Sequence, residues 1–93
     1  MSKEIIGSKG PYRVVYRVIG RKIYLQGAPS NNYYQMLSTF KQKDALKGYG
    51  FVKGWCYLEL IDEIDMNEIN NTFIPTMVKT LDKSGFKVTV TDI

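Results

Sequence analysis

Histidine is absent from this chain of 93 residues, cysteine occurs once, as Cys56, and proline three times. Without histidine there is no Ser–His or Cys–His nucleophile pair, no haem ligation and no zinc site of the usual Cys/His kind, and one thiol excludes an intrachain disulfide. No apolar run approaches the ~18 residues that a membrane span needs. The start, Met1-Ser2-Lys3-Glu4-Ile5-Ile6-Gly7, has too short an apolar stretch for a signal peptide. These absences set the expectations of a cytoplasmic protein that is not an enzyme, holds no cofactor or metal and does not enter a membrane. The length leaves room for a single hydrophobic core.

What is present is an uneven charge. Thirteen basic and nine acidic side chains give a net charge of +4. Residues 1–58 hold ten of the basic groups and only Glu4 and Asp44 among the acids, whereas residues 59–93 hold three basic and seven acidic groups. Clustered Lys and Arg displace condensed counterions from phosphates, so such asymmetry points to a nucleic acid. It is equally the signature of two halves of one fold that attract each other.

Residues 1–11, with Gly7, Ser8, Gly10 and Pro11, read as a flexible N-terminal arm, and residues 12–93 as one α+β domain. From Tyr12 the pattern has period two: Tyr12, Val14, Tyr16 and Val18 on one face, Arg13, Val15, Arg17 and Ile19 on the other. Gly20-Arg21 suits a two-residue type II′ turn, which pairs Val18 with Ile23, Tyr16 with Leu25 and Arg17 with Tyr24. Pro29-Ser30-Asn31-Asn32 supplies residues that start helices. Tyr33, Leu37 and Phe40 then follow at helical spacing to about Leu46, before Gly48, with Lys41, Lys43, Asp44 and Lys47 at the helix end. A second β region covers about Tyr49 to Ile61, broken at Lys53-Gly54. Asp65 and Glu68 resemble a capping box ahead of Met66, Ile69, Phe73, Met77 and Leu81. Pro75 predicts a kink or two short helices there, and Gly85 a stop before a last strand with Phe86, Val88 and Val90. The order is ββα-ββ-αβ: a mainly antiparallel sheet of about five strands, both helices packed on one face and the other face open.

Lys47-Gly48-Tyr49-Gly50-Phe51-Val52-Lys53 resembles the octamer of RNA-recognition-motif domains, and Ile23-Tyr24-Leu25-Gln26-Gly27 resembles their hexamer. The resemblance implies that Tyr24, Tyr49 and Phe51 stack bases from adjacent central strands. It covers 12 residues. Gly54 stands where the octamer ends in Phe or Tyr, and the 18 residues from Pro29 to Leu46 cannot hold the family's helix and strand. A two-residue Lys53-Gly54 turn places Phe51 opposite Cys56 and Tyr49 opposite Leu58, towards the core; a three-residue turn with Trp55 reverses both. The succession of hairpin, helix and hairpin is also similar to the double-wing DNA-binding domains of phage transcription activators.

The leading expectation is a nucleic-acid-binding protein, with DNA and RNA both open. Arg13, Arg17, Arg21, Lys22, Lys41, Lys43 and Lys47 would neutralise phosphates, and Tyr24 would stack on a base. The alternative is a protein-binding regulator or inhibitor of the compact kind encoded by viruses and mobile elements. It would meet a host protein or a second copy of the chain through Trp55, Tyr57 and the acidic Glu59, Asp62 and Glu63. That acidic segment fits no EF-hand spacing and lies where a helix start attracts carboxylates. Cys56, with no cation beside it in sequence, reads as a small buried hydrophobe.

Overall fold

The computed structural model describes residues 2–27 and 30–93, the side chains of residues 30 and 31 excepted. Strand β1 (Ser2–Lys9) is followed by β2 (Tyr12–Ile19), β3 (Lys22–Gln26), helix α1 (Ser30–Gln42), β4 (Leu46–Val52) and β5 (Trp55–Leu60). A helical run then comprises α2 (Met66–Glu68), a π-helical segment (Ile69–Phe73) and α3 (Ile74–Lys83), and β6 (Lys87–Asp92) ends the fold. All six strands form one antiparallel sheet in the order β4-β5-β3-β2-β1-β6. The α+β class holds, with one strand more than expected.

That extra strand is β1, formed by the residues expected to be a loose arm. Its alternation is hidden by glycine. Ile5 is fully buried on the helix-covered face, and Gly7, two residues on, lies so close under Leu81 and Phe86 that an added Cβ would sit 3.3 and 3.4 Å from their side chains. Gly10-Pro11 is a two-residue turn with Gly10 at φ +57, and proline's fixed φ suits its second position. Gly20-Arg21 repeats that geometry with Gly20 at φ +58, and the register of β2 on β3 is the expected one, Val18 on Ile23, Tyr16 on Leu25 and Arg17 on Tyr24.

One face of the sheet carries the core. Tyr16, Ile23, Leu25, Leu58 and Leu60 are buried beneath α1, through Tyr33, Met36, Leu37 and Phe40, and beneath the second helical run, through Ile69, Ile74 and Leu81. Helix α1 stops earlier than expected. Asp44 takes the left-handed conformation (φ +51), Ala45 N–H donates to the Phe40 carbonyl and Asp44 N–H to the Lys41 carbonyl, which together close a Schellman turn. Lys41 alone of the expected helix-end cations is therefore in the last turn; Lys43 follows the helix and Lys47 is on β4. Gly85, at φ +88, closes α3 by the same pair of bonds, Phe86 to Leu81 and Gly85 to Asp82.

Asp65 caps α2 as expected, its carboxylate accepting from Asn67 N–H at 2.9 Å. Pro75 has no N–H and its ring would press on the carbonyl four residues back. The interruption takes the form of a π turn just before it, in which Ile74 N–H reaches the Ile69 carbonyl.

Candidate nucleic-acid interface

The face away from the helices is uncovered, and the strand register dictates what it shows. Arg17 on β2 faces Tyr24 on β3, Tyr24 faces Tyr57 on β5, and Tyr57 faces Gly50 on β4. Gly50 leaves space that the Tyr57 ring fills: a Cβ there would lie 3.4 Å from the ring. Trp55 stands edge-on to Tyr24 with ring centroids 6.3 Å apart, and Tyr24 and Tyr57 are 6.2 Å apart. Val15 is 92% covered on this face without any helix above it, by its neighbours alone. The result is an aromatic stripe across β3 and β5, bordered by Arg13, Gln26 and Lys22.

Arg17 has two partners. Its Nε donates to the Glu4 carboxylate at 2.6 Å, and its guanidinium lies 4.8 Å from the centre of the Trp55 ring. The expectation of a free phosphate-binding group at Arg17 is thus corrected by Glu4, which strand β1 brings alongside. Arg21 is also engaged. Its guanidinium donates to the Ile64 carbonyl at 2.6 Å and lies 4.0 Å from Asp62, pinning the β2–β3 turn to the segment after β5. Arg13 and Lys22 are exposed and, among the described residues, have no carboxylate within ion-pair distance. Two of the three ion pairs, Lys3 with Asp92 and Arg21 with Asp62, join the basic part of the chain to the acidic part.

The eight residues expected at a nucleic-acid site do not share one surface. Arg13, Arg17, Lys22 and Tyr24 lie on the open face, Arg21 in the turn at its border. Lys41, Lys43 and Lys47 lie on the helix side near β4, where Lys41 Nζ stands 4.9 Å from the Tyr49 ring centre. In exchange, Trp55 and Tyr57, expected to serve a protein partner, join Tyr24. Glu59 is on the open face too, opposite Lys22, whereas Asp62 and Glu63 project from the segment after β5. Gln26, Glu4 and Val52 are on this face as well, and towards the β6 edge so are Ile6, Ile19, Lys87, Thr89 and Thr91. Only an alternation traced through residues 3–8 would have pointed to Glu4.

Lys53-Gly54 is a two-residue turn with both residues left-handed (φ +49 and +83), so Tyr49 and Phe51 fall on the helix side. They are not core residues even so. Strand β4 is the sheet edge; α1 meets it through Tyr33 on Phe51 and Lys41 on Tyr49, yet Tyr49 is 51% and Phe51 71% exposed. The three aromatics that the RNA-recognition-motif resemblance brings together are therefore split between opposite faces, with β5 between β3 and β4.

Elsewhere the chemistry is spare. A hollow of 590 Å³ between α1 and α3, floored by Val14 and Tyr16, is lined by no carboxylate, ammonium or thiol. Tyr16 is fully buried and its hydroxyl completes no hydrogen bond; burial raises its pKa, an effect that the nearby Asn32 side chain opposes. Burial likewise raises that of Tyr33, whose hydroxyl donates to the Tyr57 carbonyl at 3.2 Å and ties α1 to β5. Among the described residues no three Cys, Asp or Glu side chains are grouped as a metal would need, and no helix is long and apolar enough to cross a membrane. No protein-family profile, curated protein or solved structure matches the chain.

Proposed function

We propose that the protein binds single-stranded nucleic acid on its open sheet face, as a binding module and not an enzyme. The observation that carries this reading is the stripe of Tyr24, Trp55 and Tyr57 between two unpaired cations, Arg13 and Lys22. Aromatic rings on a sheet stack unpaired bases, and nearby cations track the backbone; a duplex keeps its bases stacked inside and gains nothing from the rings. Arg17, held by Glu4 against Trp55, orients that ring and adds its own plane for stacking.

Titration of labelled oligo(dT), oligo(U) and duplex DNA at several salt concentrations tests this. Single strands should bind better than duplex, with a shallow salt slope of about −2 in log–log form, as two to three phosphate contacts give. Replacing Arg13 and Lys22 by alanine together should flatten that slope. Equal affinity for duplex and single strand, or no binding at low salt, would remove the proposal.

A further inference from the structure

The open face leaves the β4 edge unused. There the backbone and the side chains point to a second binding site, for a different class of ligand. In a hairpin with a two-residue turn, the residues next to the turn, here Val52 and Trp55, exchange backbone hydrogen bonds. Alternation then assigns Gly50 to β5 as well and turns the N–H and C=O groups of Tyr49 and Phe51 outward. The same alternation, followed across the sheet, requires Ser2 to bond to residue 93, and Ile93 N–H does donate to the Ser2 carbonyl at 3.0 Å. Tyr49 and Phe51 thus offer free backbone pairs and exposed rings at once. Exposed edges of this kind accept another strand.

Two hollows flank these residues on the helix side. One of 150 Å³, lined by Leu25, Tyr33, Tyr34, Phe51 and Cys56 among others, is apolar. The other, of 300 Å³, is bounded by Lys41, Lys47 and Tyr49 together with Asp44, Leu46 and Gly48, so two ammonium groups face one carboxylate there. Lys43 and Lys53 are exposed nearby, so four lysines surround the edge against two acidic groups, Asp44 on the helix side and Glu59, which lies beside Gly48 on the open face. Such charge opposes pairing with a second copy of this chain, whose edge would bring the same lysines, and favours a carboxylate-bearing strand.

We propose that β4 binds an extended acidic peptide by strand addition. An apolar side chain enters the Tyr33/Tyr34/Phe51 hollow, and a carboxylate further along the same face of the peptide meets Lys41 and Lys47, where a bulge between Leu46 and Gly48 interrupts β4.

The test uses a fluorescein-labelled octapeptide, Thr-Val-Thr-Leu-Thr-Glu-Thr-Glu. It should bind saturably and shift the amide resonances of residues 47–51, and exchanging its Glu for Lys should weaken it by about tenfold or more. N-methylation of alternate amides should abolish binding. Tyr49→Pro removes an outward donor that the β4–β5 ladder does not use, so the melting temperature should hold while affinity falls well below that of Tyr49→Ala. Equal binding of the Lys or N-methylated peptide overturns the proposal. So do resonance shifts centred on Trp55, displacement of the peptide by oligo(dT) with the same shifts at residues 47–51, or a β4-mediated dimer in sedimentation. The open-face reading is read out separately, by Trp55→Ala.

Discussion

The two faces of this sheet bury comparable side chains by different means. Ile23 and Leu58 are sealed by helices, whereas Val15 is covered by the long side chains beside it in the sheet. A covered face spends its aromatic and aliphatic groups on the core. An open face that is nevertheless apolar at its centre keeps its rings half-exposed and ordered, which is the condition for recognition at small entropic cost. Stability should therefore map to one face and binding to the other.

The sharpest break between them comes from Leu58→Ala, expected to destabilise by about 2–5 kcal/mol in chemical denaturation while leaving the oligonucleotide affinity of the folded fraction unchanged. Gly27→Ala should cost about 2 kcal/mol or more, since Gly27 has φ +77 and a Cβ there would collide with the Arg13 carbonyl. Its calorimetric melting point reads this out. Trp55→Ala should reverse the pattern, weakening oligonucleotide binding by the equivalent of about 1–3 kcal/mol with a smaller loss of stability. Glu4→Gln removes a negative charge from the open face while its amide oxygen still accepts from Arg17 Nε: stability should fall by about 0.5–1 kcal/mol as affinity for the phosphates rises, a change of opposite sign in the two measurements.

Tyr16→Phe has the smallest expected effect, within about 1 kcal/mol at neutral pH, because the hydroxyl it deletes has no hydrogen-bond partner. It sharpens the comparison at high pH. A raised Tyr16 pKa means that the folded chain holds this proton after the unfolded chain has lost it. Stability is then flat below about pH 10 and falls as the pH rises past it towards the folded value. Urea midpoints measured across that range should decline less steeply in Tyr16→Phe, with Tyr33 sustaining the remaining slope.

Local chemistry made part of this legible. The β2–β3 register followed from a glycine-first turn between two alternating segments, and Asp65 and Gly85 marked helix ends by their residue types. Gly10-Pro11 obeys the same turn rule, yet Gly7, Ser8, Gly10 and Pro11 gave residues 1–11 the composition of a tail, and the reason for Gly7 lies more than seventy residues away in Leu81 and Phe86. Asp44 ends α1 in a conformation usually left to glycine, so the helix was expected to run on. The candidate interface was legible only in halves. Tyr24 and Trp55 are 31 positions apart and meet because β5 adds to β3, a pairing no local pattern specifies. Whether Phe51 is covered depends on how far the first turn of α1, at Tyr33 and Tyr34, extends over the sheet edge, which is a matter of tertiary packing.

Strand β1 has consequences for how the chain comes into being. It leaves the ribosome ahead of the other five strands, yet it lies between β2 and β6, and β6 is the last of the six to be made. A nascent chain can zip β1 to β2 at once, but must wait with Glu4, Ile6 and Ser8 offering unpaired backbone until β6 emerges. Throughout that interval the nascent hairpin carries an open edge of its own, which in the folded chain is closed by β6.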